Sequence, residues 1–157
     1  MTKTNILKLI VALALPLLLG AIAGSYTSEE VPNWYRTLKA PSFAPPGWLF
    51  GPVWSTLYIL MGISSFLVWK QKATPLRNKA LVIYLVQLLL NFAWSFIFFY
   101  YKEIGWALVE IVILWIAILL FLWHFYRIKP VAAYLNIPYF LWVSFATALT
   151  AGYWMLN

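Results

Sequence analysis

The stretch that decides the fold is Ile104-Gly-Trp-Ala-Leu-Val-Glu-Ile-Val-Ile-Leu-Trp-Ile-Ala-Ile-Leu-Leu-Phe-Leu-Trp-His-Phe125. Only Glu110 and His124 within it can ionise near neutral pH. About 20 consecutive apolar residues suffice for an α-helix to cross the hydrocarbon core of a bilayer. The stretch therefore predicts a transmembrane helix.

Four more charge-free stretches of comparable length lie along the rest of the chain. They are Leu9–Ser28, Ala40–Trp69, Ala80–Tyr101 and Pro130–Leu156. We expect the first helix to end near Gly24. We expect the second to begin near Gly47, because three prolines interrupt the residues before it.

The composition agrees with a membrane protein. Of 157 residues, 64% are apolar and only 10% are charged, whereas about 25% of a soluble domain is charged. The sequence thus predicts an all-α integral membrane protein, a bundle of five transmembrane helices that forms a single domain over residues 1–157.

Several kinds of site are excluded by the residues that are missing. Cysteine is absent and His124 is the only histidine, so disulfides, thiolate sites and a cysteine nucleophile are excluded, and we expect no metal site. The net charge of +7 is spread between the apolar runs. We therefore expect a lipid bilayer around the chain and no nucleic acid partner.

Lysine and arginine divide unevenly between the two sides of the predicted bundle. One side holds Lys3, Lys8, Lys70, Lys72, Arg77, Lys79, Arg127 and Lys129, and the other holds Arg36, Lys39 and Lys102. The positive-inside rule then predicts a cytoplasmic N-terminus and a C-terminus outside. So strong an asymmetry favours a bacterial plasma membrane.

An alternative for the first span is a cleaved signal peptide, because Ala21-Ile22-Ala23 resembles a cleavage site. The apolar run is long for that role, and we expect a retained helix.

The first connection, about Tyr26 to Pro46, is the only long one and is rich in proline and aromatic residues. Proline lowers the entropy lost on ordering, and Trp and Tyr add large apolar surfaces with a polar end. This composition predicts a folded lid on the outer side. The alternative is a loop that lies on the lipid headgroups.

Polar side chains inside the spans are the next feature. Glu110 lies in the fourth span, where an ionisable group usually faces the bundle interior or an aqueous cavity. Gln87, Asn91 and Ser95 follow one another at intervals of four residues and share one helix face. Bonds between helices and the lining of a ligand cavity are both compatible with that face.

Depth brings these residues together. At about 1.5 Å per residue, side chains from four helices fall at one level, roughly 9–15 Å below the outer helix ends. They are Trp54, Asn91, Trp94, Glu110, Ala146 and Leu149. A pocket lined by aromatic rings with a few convergent polar groups is the usual form of a ligand site. We expect Trp and Tyr rings there to stack on a flat, hydrophobic ligand.

Two small-residue motifs are suited to close helix contact. Gly20 and Gly24 form a GxxxG pair, and Ser144, Ala148 and Gly152 form a stripe in the fifth span. Contact inside one chain and dimerisation both fit these motifs.

Several segments carry a family resemblance. The loop and second span contain Trp34-Tyr35, Lys39-Ala-Pro-Ser-Phe-Ala-Pro-Pro-Gly-Trp48 and Phe50-Gly-Pro-Val-Trp54-Ser-Thr-Leu-Tyr58. Later come Asn91-Phe-Ala-Trp94, Ala107-Leu-Val-Glu110 and Pro138-Tyr-Phe-Leu-Trp142-Val-Ser-Phe-Ala-Thr147. In order and spacing they resemble the signature of the translocator protein family, also called TspO, tryptophan-rich sensory or peripheral benzodiazepine receptor-like proteins.

The resemblance implies a five-helix bundle, commonly a homodimer, with a ligand pocket beneath the first loop. It implies binding of porphyrins such as protoporphyrin IX, with the porphyrin as ligand rather than required cofactor, and of isoquinoline- and benzodiazepine-type drugs. The residues it points to are Tyr35, Trp54, Tyr58, Asn91, Trp94, Glu110, Trp142, Ala146 and Leu149.

The chain also departs from the family pattern. The mitochondrial cholesterol motif needs a basic residue after Leu149 and Tyr153, and none follows. Phe43 stands where many relatives have Trp, and the third span lacks the GxxxG of some relatives. We therefore do not expect sterol binding, and the dimer face stays open.

Three functions compete. The first is a porphyrin-binding protein with a sensing or regulatory role, and the second is an enzyme that degrades bound porphyrin under light. In the enzyme, Trp54 or Trp142 would donate electrons or act as a shield. The third is a transporter of porphyrin or lipid-like molecules, which would need a route through both leaflets. Because no conventional acid–base or nucleophile set is recognisable, we rank binding first.

Overall fold

The computed structural model describes residues 2–157, which form six α-helices and no strand. The helices are α1 (Lys3–Asn33), α2 (Phe50–Trp69), α3 (Pro75–Ser95), α4 (Ile104–Ile128), α5 (Pro130–Tyr134) and α6 (Ile137–Leu156). Two 3-10 turns, Tyr35–Thr37 and Gly47–Leu49, lie in the first loop, and a π-helical segment, Phe96–Tyr100, continues α3.

Five helical spans within residues 2–157 are long and apolar enough to cross a membrane. They are Lys3–Thr37, Gly47–Trp69, Pro75–Tyr100, Ile104–Ile128 and Pro130–Leu156. The predicted all-α architecture of five spans is therefore confirmed.

The predicted end of the first helix near Gly24 is wrong, because α1 continues to Asn33. Gly24 keeps a helical backbone, since no glycine within residues 2–157 has a positive φ. Polar side chains of the extension also bond to its backbone: Thr27 Oγ1 donates to the Ala23 oxygen at 2.8 Å, and Asn33 Nδ2 donates to the Glu29 oxygen at 2.8 Å. The first loop is consequently shorter than predicted and comprises residues 34–49.

The fifth span is broken into α5 and α6 at Leu135 and Asn136, which the sequence did not predict. Pro138 in the first turn of α6 has no N–H to continue the ladder. Asn136 Nδ2 donates instead to the Ala132 oxygen at 2.9 Å and to Ser64 Oγ at 2.7 Å. The break is thereby tied to α2.

Two glycines let α1 approach α2 closely. A Cβ placed on Gly62 would lie 2.8 Å from the Ala12 carbonyl oxygen and 2.9 Å from Leu13 Cα. A Cβ on Gly20 would meet the ring of Tyr58, with its Cδ2 at 2.6 Å. Gly20 thus serves packing inside the monomer, whereas Gly24 has nothing within 4 Å of such a Cβ.

The helices pack in a ring: α1 contacts α2 and α3, α3 contacts α4, and α4 contacts α5 and α6. Contact between α5 and α2 closes the ring. The main core runs through the bundle and is built from α2, α3, α4, α5 and α6. A second, smaller cluster lies beneath the first loop. We call it the loop cluster; its buried members are Phe98, Ala107, Leu149 and Tyr153.

The close approach at Gly62 gives a first prediction. Gly62→Ala places a methyl group against the backbone of α1, and we expect it to lower the free energy of unfolding by about 1–3 kcal/mol. The measurement is thermal and denaturant unfolding of the protein in detergent, followed by circular dichroism.

Gly51→Ala is the matched control in the same helix, because nothing lies within 4 Å of its Cβ position. The control should change the stability by less than about 1 kcal/mol, in the stabilising direction. Equal destabilisation by both variants would contradict the close α1–α2 contact.

Candidate functional site

The first loop covers one end of the bundle and packs on aromatic rings. The Trp34 ring meets Phe98 edge-on with ring centroids 5.5 Å apart. The Tyr35 ring lies 5.2 Å from that of Tyr153, whose hydroxyl donates to the Tyr35 oxygen at 2.7 Å. Tyr35, predicted as a loop aromatic over the site, therefore packs against the loop cluster.

A chain of buried hydrogen bonds joins α2, α3 and α6. The Tyr58 hydroxyl donates to Asn91 Oδ1 at 2.8 Å, and Asn91 Nδ2 donates to the Tyr139 oxygen at 3.2 Å. The Tyr139 hydroxyl donates in turn to Gln87 Oε1 at 2.8 Å. Gln87 and Asn91 of the predicted polar face thus make bonds between helices, and Asn91 contacts Tyr58, another predicted site residue.

Trp54 lies one helical turn before Tyr58, and its ring is placed by two tyrosines. It stacks on Tyr58 with centroids 5.5 Å apart and planes inclined by 27°. It meets Tyr139 edge-on at 6.2 Å. Because both tyrosine hydroxyls are fixed by hydrogen bonds, the orientation of the Trp54 ring depends on the polar chain below it.

Trp94 and Leu149 belong to the space beneath the loop. Leu149 is a buried member of the loop cluster, and Trp94 packs against both that cluster and the main core. The Trp94 ring stacks on Phe98 at 5.1 Å, and Phe98 is only 2% exposed. Aromatic rings therefore fill the space in which the sequence predicts a pocket.

Trp142 and Ala146 are on the side of the site that faces α2, and both pack against the main core. The Trp142 ring lies between Phe50 at 5.9 Å and Phe145 at 5.6 Å. Trp142 also lines an open groove of about 460 Å³, which Pro52, Val53, Thr56, Leu57, Leu60 and Pro138 complete.

Glu110 lines a second groove, of about 400 Å³, beside the π-helical segment and separate from the groove along Trp142. Its side chain is buried, with 8% exposed, and neither carboxyl oxygen has a hydrogen-bond partner among the described residues. The prediction of a polar group turned away from lipid fits this burial.

Some buried donors in residues 2–157 also have no acceptor. The indole N–H groups of Trp94 and Trp142 and the Nε2 group of Gln87 are enclosed without a partner. A buried donor without an acceptor is unfavourable by about 1–3 kcal/mol. Such groups can bind the carbonyl or carboxylate oxygens of a molecule that enters between the helices.

The sequence did not single out Tyr139 or Phe98 as site residues, although both are central. Tyr139 lies three residues before Trp142 on α6, so the helical spacing contained a usable signal. Phe98 lies in the π-helical segment, where an extra residue per turn alters which side chains face inward. Regular 3.6-residue spacing gives no sign of that alteration.

The small-residue stripe of the fifth span is used within the monomer at one position. A Cβ on Gly152 would lie 2.6 Å from Pro41 Cγ in the first loop. Ser144 Oγ accepts a hydrogen bond from Trp115 Nε1 at 2.8 Å, which joins α6 to α4. These two positions therefore hold the monomer together.

Known proteins resemble the chain over nearly its whole length. The model of the TspO/MBR family matches residues 12–155. The human translocator protein is 41% identical over 143 residues, covering 88% of this chain and 84% of the relative. The tryptophan-rich protein TspO of Archaeoglobus fulgidus is 38% identical over 154 residues, covering 98% and 99%. That of Chlorobaculum tepidum is 38% identical over 157 residues, covering 98% of both chains. With five apolar spans and these relatives, the chain is an integral membrane protein that belongs to the TspO/MBR family.

Proposed function

We propose that this protein binds porphyrins of the protoporphyrin IX type, and other flat hydrophobic molecules, in the aromatic site beneath the first loop. The observation that carries the proposal is the pair of buried indole N–H groups, on Trp94 and Trp142, that have no acceptor. Both indoles adjoin stacked rings. The flat face of such a ligand can stack on the aromatic rings, and its carboxylate or carbonyl oxygens can accept hydrogen bonds from the two indole N–H groups.

Aromatic side chains fill the space beneath the first loop. The ligand must therefore displace some of these rings when it binds. The groove along Trp142 is open toward the bilayer and adjoins Phe50 and Phe145 at the edge of that space. A hydrophobic molecule dissolved in lipid can reach the site along this groove. Rotation of Trp142 would then expose its indole N–H to the ligand.

A sensing or regulatory role fits a binding site that lacks catalytic groups. A relative that is 30% identical over 138 residues, from Cereibacter sphaeroides, has the name tryptophan-rich sensory protein. In this chain we propose that ligand binding alters the packing of Trp142 against Phe50 and Phe145. A homodimer is also part of the proposal; Gly24, with open space beside it, is available for that contact, whereas Gly20 is not.

Binding is tested with two tryptophan variants. Trp142→Phe removes an unpartnered donor, and Trp54→Phe reduces the stacking surface, so each should weaken protoporphyrin IX binding about fivefold. The measurement is a titration of purified protein in the dark, followed through the Soret band and tryptophan fluorescence.

Trp123→Phe is the matched control, because Trp123 is exposed near the opposite end of α4, where Arg127 lies over its ring. Its affinity should equal that of the wild type. Undiminished binding by the Trp54→Phe, Trp142→Phe double variant would place the ligand elsewhere, and no saturable binding by the wild type would refute the proposal.

Light-dependent degradation of the bound porphyrin is the second candidate function. The observation in its favour is the stacked Trp54–Tyr58 pair, since indole and phenol rings can donate electrons to an excited porphyrin. Glu110 and His124 do not form an acid–base pair, because His124 is about 21 Å along α4 from Glu110. The Nδ1 atom of His124 lies 2.7 Å from the Leu120 carbonyl oxygen instead.

We expect illumination of the complex to give the same products as free porphyrin in detergent, because no acid–base pair adjoins the site. Absorption spectra and mass spectrometry of the illuminated mixture measure this. A new product that forms only with protein, and is lost in Trp54→Phe, would establish the enzyme instead.

The membrane orientation belongs to the same proposal. We propose a bacterial plasma membrane with the N-terminus in the cytoplasm and the C-terminus outside, because the lysines and arginines cluster at the end of the bundle opposite the first loop. Ser42→Cys should then react with an impermeant maleimide in intact cells. Labelling only after lysis would show that the orientation is the opposite one. The absence of native cysteine makes this label specific.

A further inference from the structure

The last turn of α6 meets the first loop at three points. The Lys39 N–H donates to Asn157 Oδ1 at 2.9 Å, and Asn157 Nδ2 donates back to the Lys39 carbonyl oxygen at 3.1 Å. The Tyr153 hydroxyl donates to Tyr35, and Gly152 lies directly beneath Pro41.

We propose that Asn157 and Gly152 are positioning residues that hold the first loop closed over the ligand site and set the rate at which it opens. This inference rests on the proposed function for its ligand. We call the contacts of Asn157 with Lys39 and of Gly152 with Pro41 the latch, and the latch itself is a property of the loop. Neither residue was assigned a role in the site by the sequence.

The geometry of Asn157 suits a latch. Its side-chain amide pairs with both backbone polar groups of Lys39, as one strand pairs with another. The same Nδ2 atom also donates to the Tyr153 carbonyl oxygen at 3.0 Å, which fixes the amide before the loop arrives. Both bonds are at the surface, so they can break without opening the core.

Gly152 contributes through its missing side chain. Pro41 Cγ would be 2.6 Å and Pro41 Cβ 3.2 Å from a Cβ at this position. The proline ring is rigid and cannot turn away as a flexible side chain would. A methyl group at residue 152 therefore acts as a wedge that lifts the loop from α6.

The start of the loop is held separately. Lys102 Nζ lies 3.1 Å from Glu30 Oε2 and 5.9 Å from the centroid of the Trp34 ring. These contacts join the end of α1 to the connection between α3 and α4. Release of the α6 latch should therefore free the middle of the loop, near Lys39 and Pro41, while Trp34 stays in place.

The latch has a distinctive effect on ligand kinetics. Neither Asn157 nor Gly152 is among the residues proposed to contact ligand, so the latch stabilises the closed loop equally with and without it. A contribution that is equal in both states cancels from the equilibrium. Loss of the latch should thus raise the association and dissociation rate constants together and leave Kd nearly unchanged.

The test uses Asn157→Ala, which removes the hydrogen bonds, and Gly152→Ala, which inserts the wedge. Gln71→Ala and Gly24→Ala are matched controls. Gln71 Nε2 makes one amide bond, to the Leu67 oxygen at 2.9 Å, near the opposite end of the bundle, and Gly24 has open space beside it.

Hydrogen exchange of the Lys39 amide in lipid nanodiscs is the first measurement and needs no ligand. We expect exchange about tenfold faster in Asn157→Ala and in Gly152→Ala, and unchanged in both controls. Stopped-flow mixing with protoporphyrin IX is the second, and both rate constants should rise together about tenfold.

The outcomes separate the latch from the proposed function. Unchanged exchange at Lys39 in both variants overturns the latch whether or not porphyrin binds. Faster exchange at Lys39 in the variants, together with no porphyrin binding by the wild type, supports the latch and refutes porphyrin as the ligand. A raised Kd with an unchanged association rate constant would make these residues ligand contacts and overturn the positioning role.

Discussion

The buried hydrogen-bonded chain from Tyr58 through Asn91 and Tyr139 to Gln87 is the interaction on which the rest of the bundle depends. In a bilayer, apolar side chains gain little by leaving lipid for one another, so shape complementarity and polar contacts between helices carry more of the association. A single bond of this kind contributes on average about 0.6 kcal/mol in a membrane protein. The chain matters more through geometry, because its three bonds together require α2, α3 and α6 to meet at one depth and in one rotation.

The same chain explains why the candidate site lies where it does. Tyr58 and Tyr139 have their hydroxyls fixed below and present their rings to Trp54 above. Gly20 allows the Tyr58 ring to lie directly against α1. The flat indole is thus held by neighbours that cannot rotate freely, which is the kind of preorganisation that ligand sites need. The hydroxyls of Tyr58 and Tyr139 have acceptors, whereas the indole N–H groups of Trp94 and Trp142 have none.

Sequence reasoning predicted what depends on regular helical spacing and long apolar runs. The five spans follow from hydropathy, and the contact of Tyr58 with Asn91 agrees with counting residues along two antiparallel helices. The starts of α2 and α4 were also close to their predicted positions.

Irregular backbone accounts for the differences. Glycine at position 24 predicts a helix end, yet Gly24 keeps a helical backbone and α1 continues to Asn33. The break before α6 requires Ser64 of another helix, and the π-helical turn leaves no mark in the hydropathy pattern. Depth along a helix does not give direction: Glu110 and Trp142 line two different grooves, the first beside the π-helical segment and the second against α2.

The buried polar atoms without partners are the remaining constraint on function. Evolution can remove the indole N–H groups easily, since each disappears when Trp is replaced by Phe. A bundle selected for stability alone would lose them, because each is unfavourable by about 1–3 kcal/mol. The two indole N–H groups lie beside aromatic rings, and the middle of the first loop is fastened to α6 by hydrogen bonds at the surface. These donors are unfavourable as long as they stay buried without acceptors, and the first loop above them can open. This arrangement is expected when a bound ligand supplies the missing acceptors.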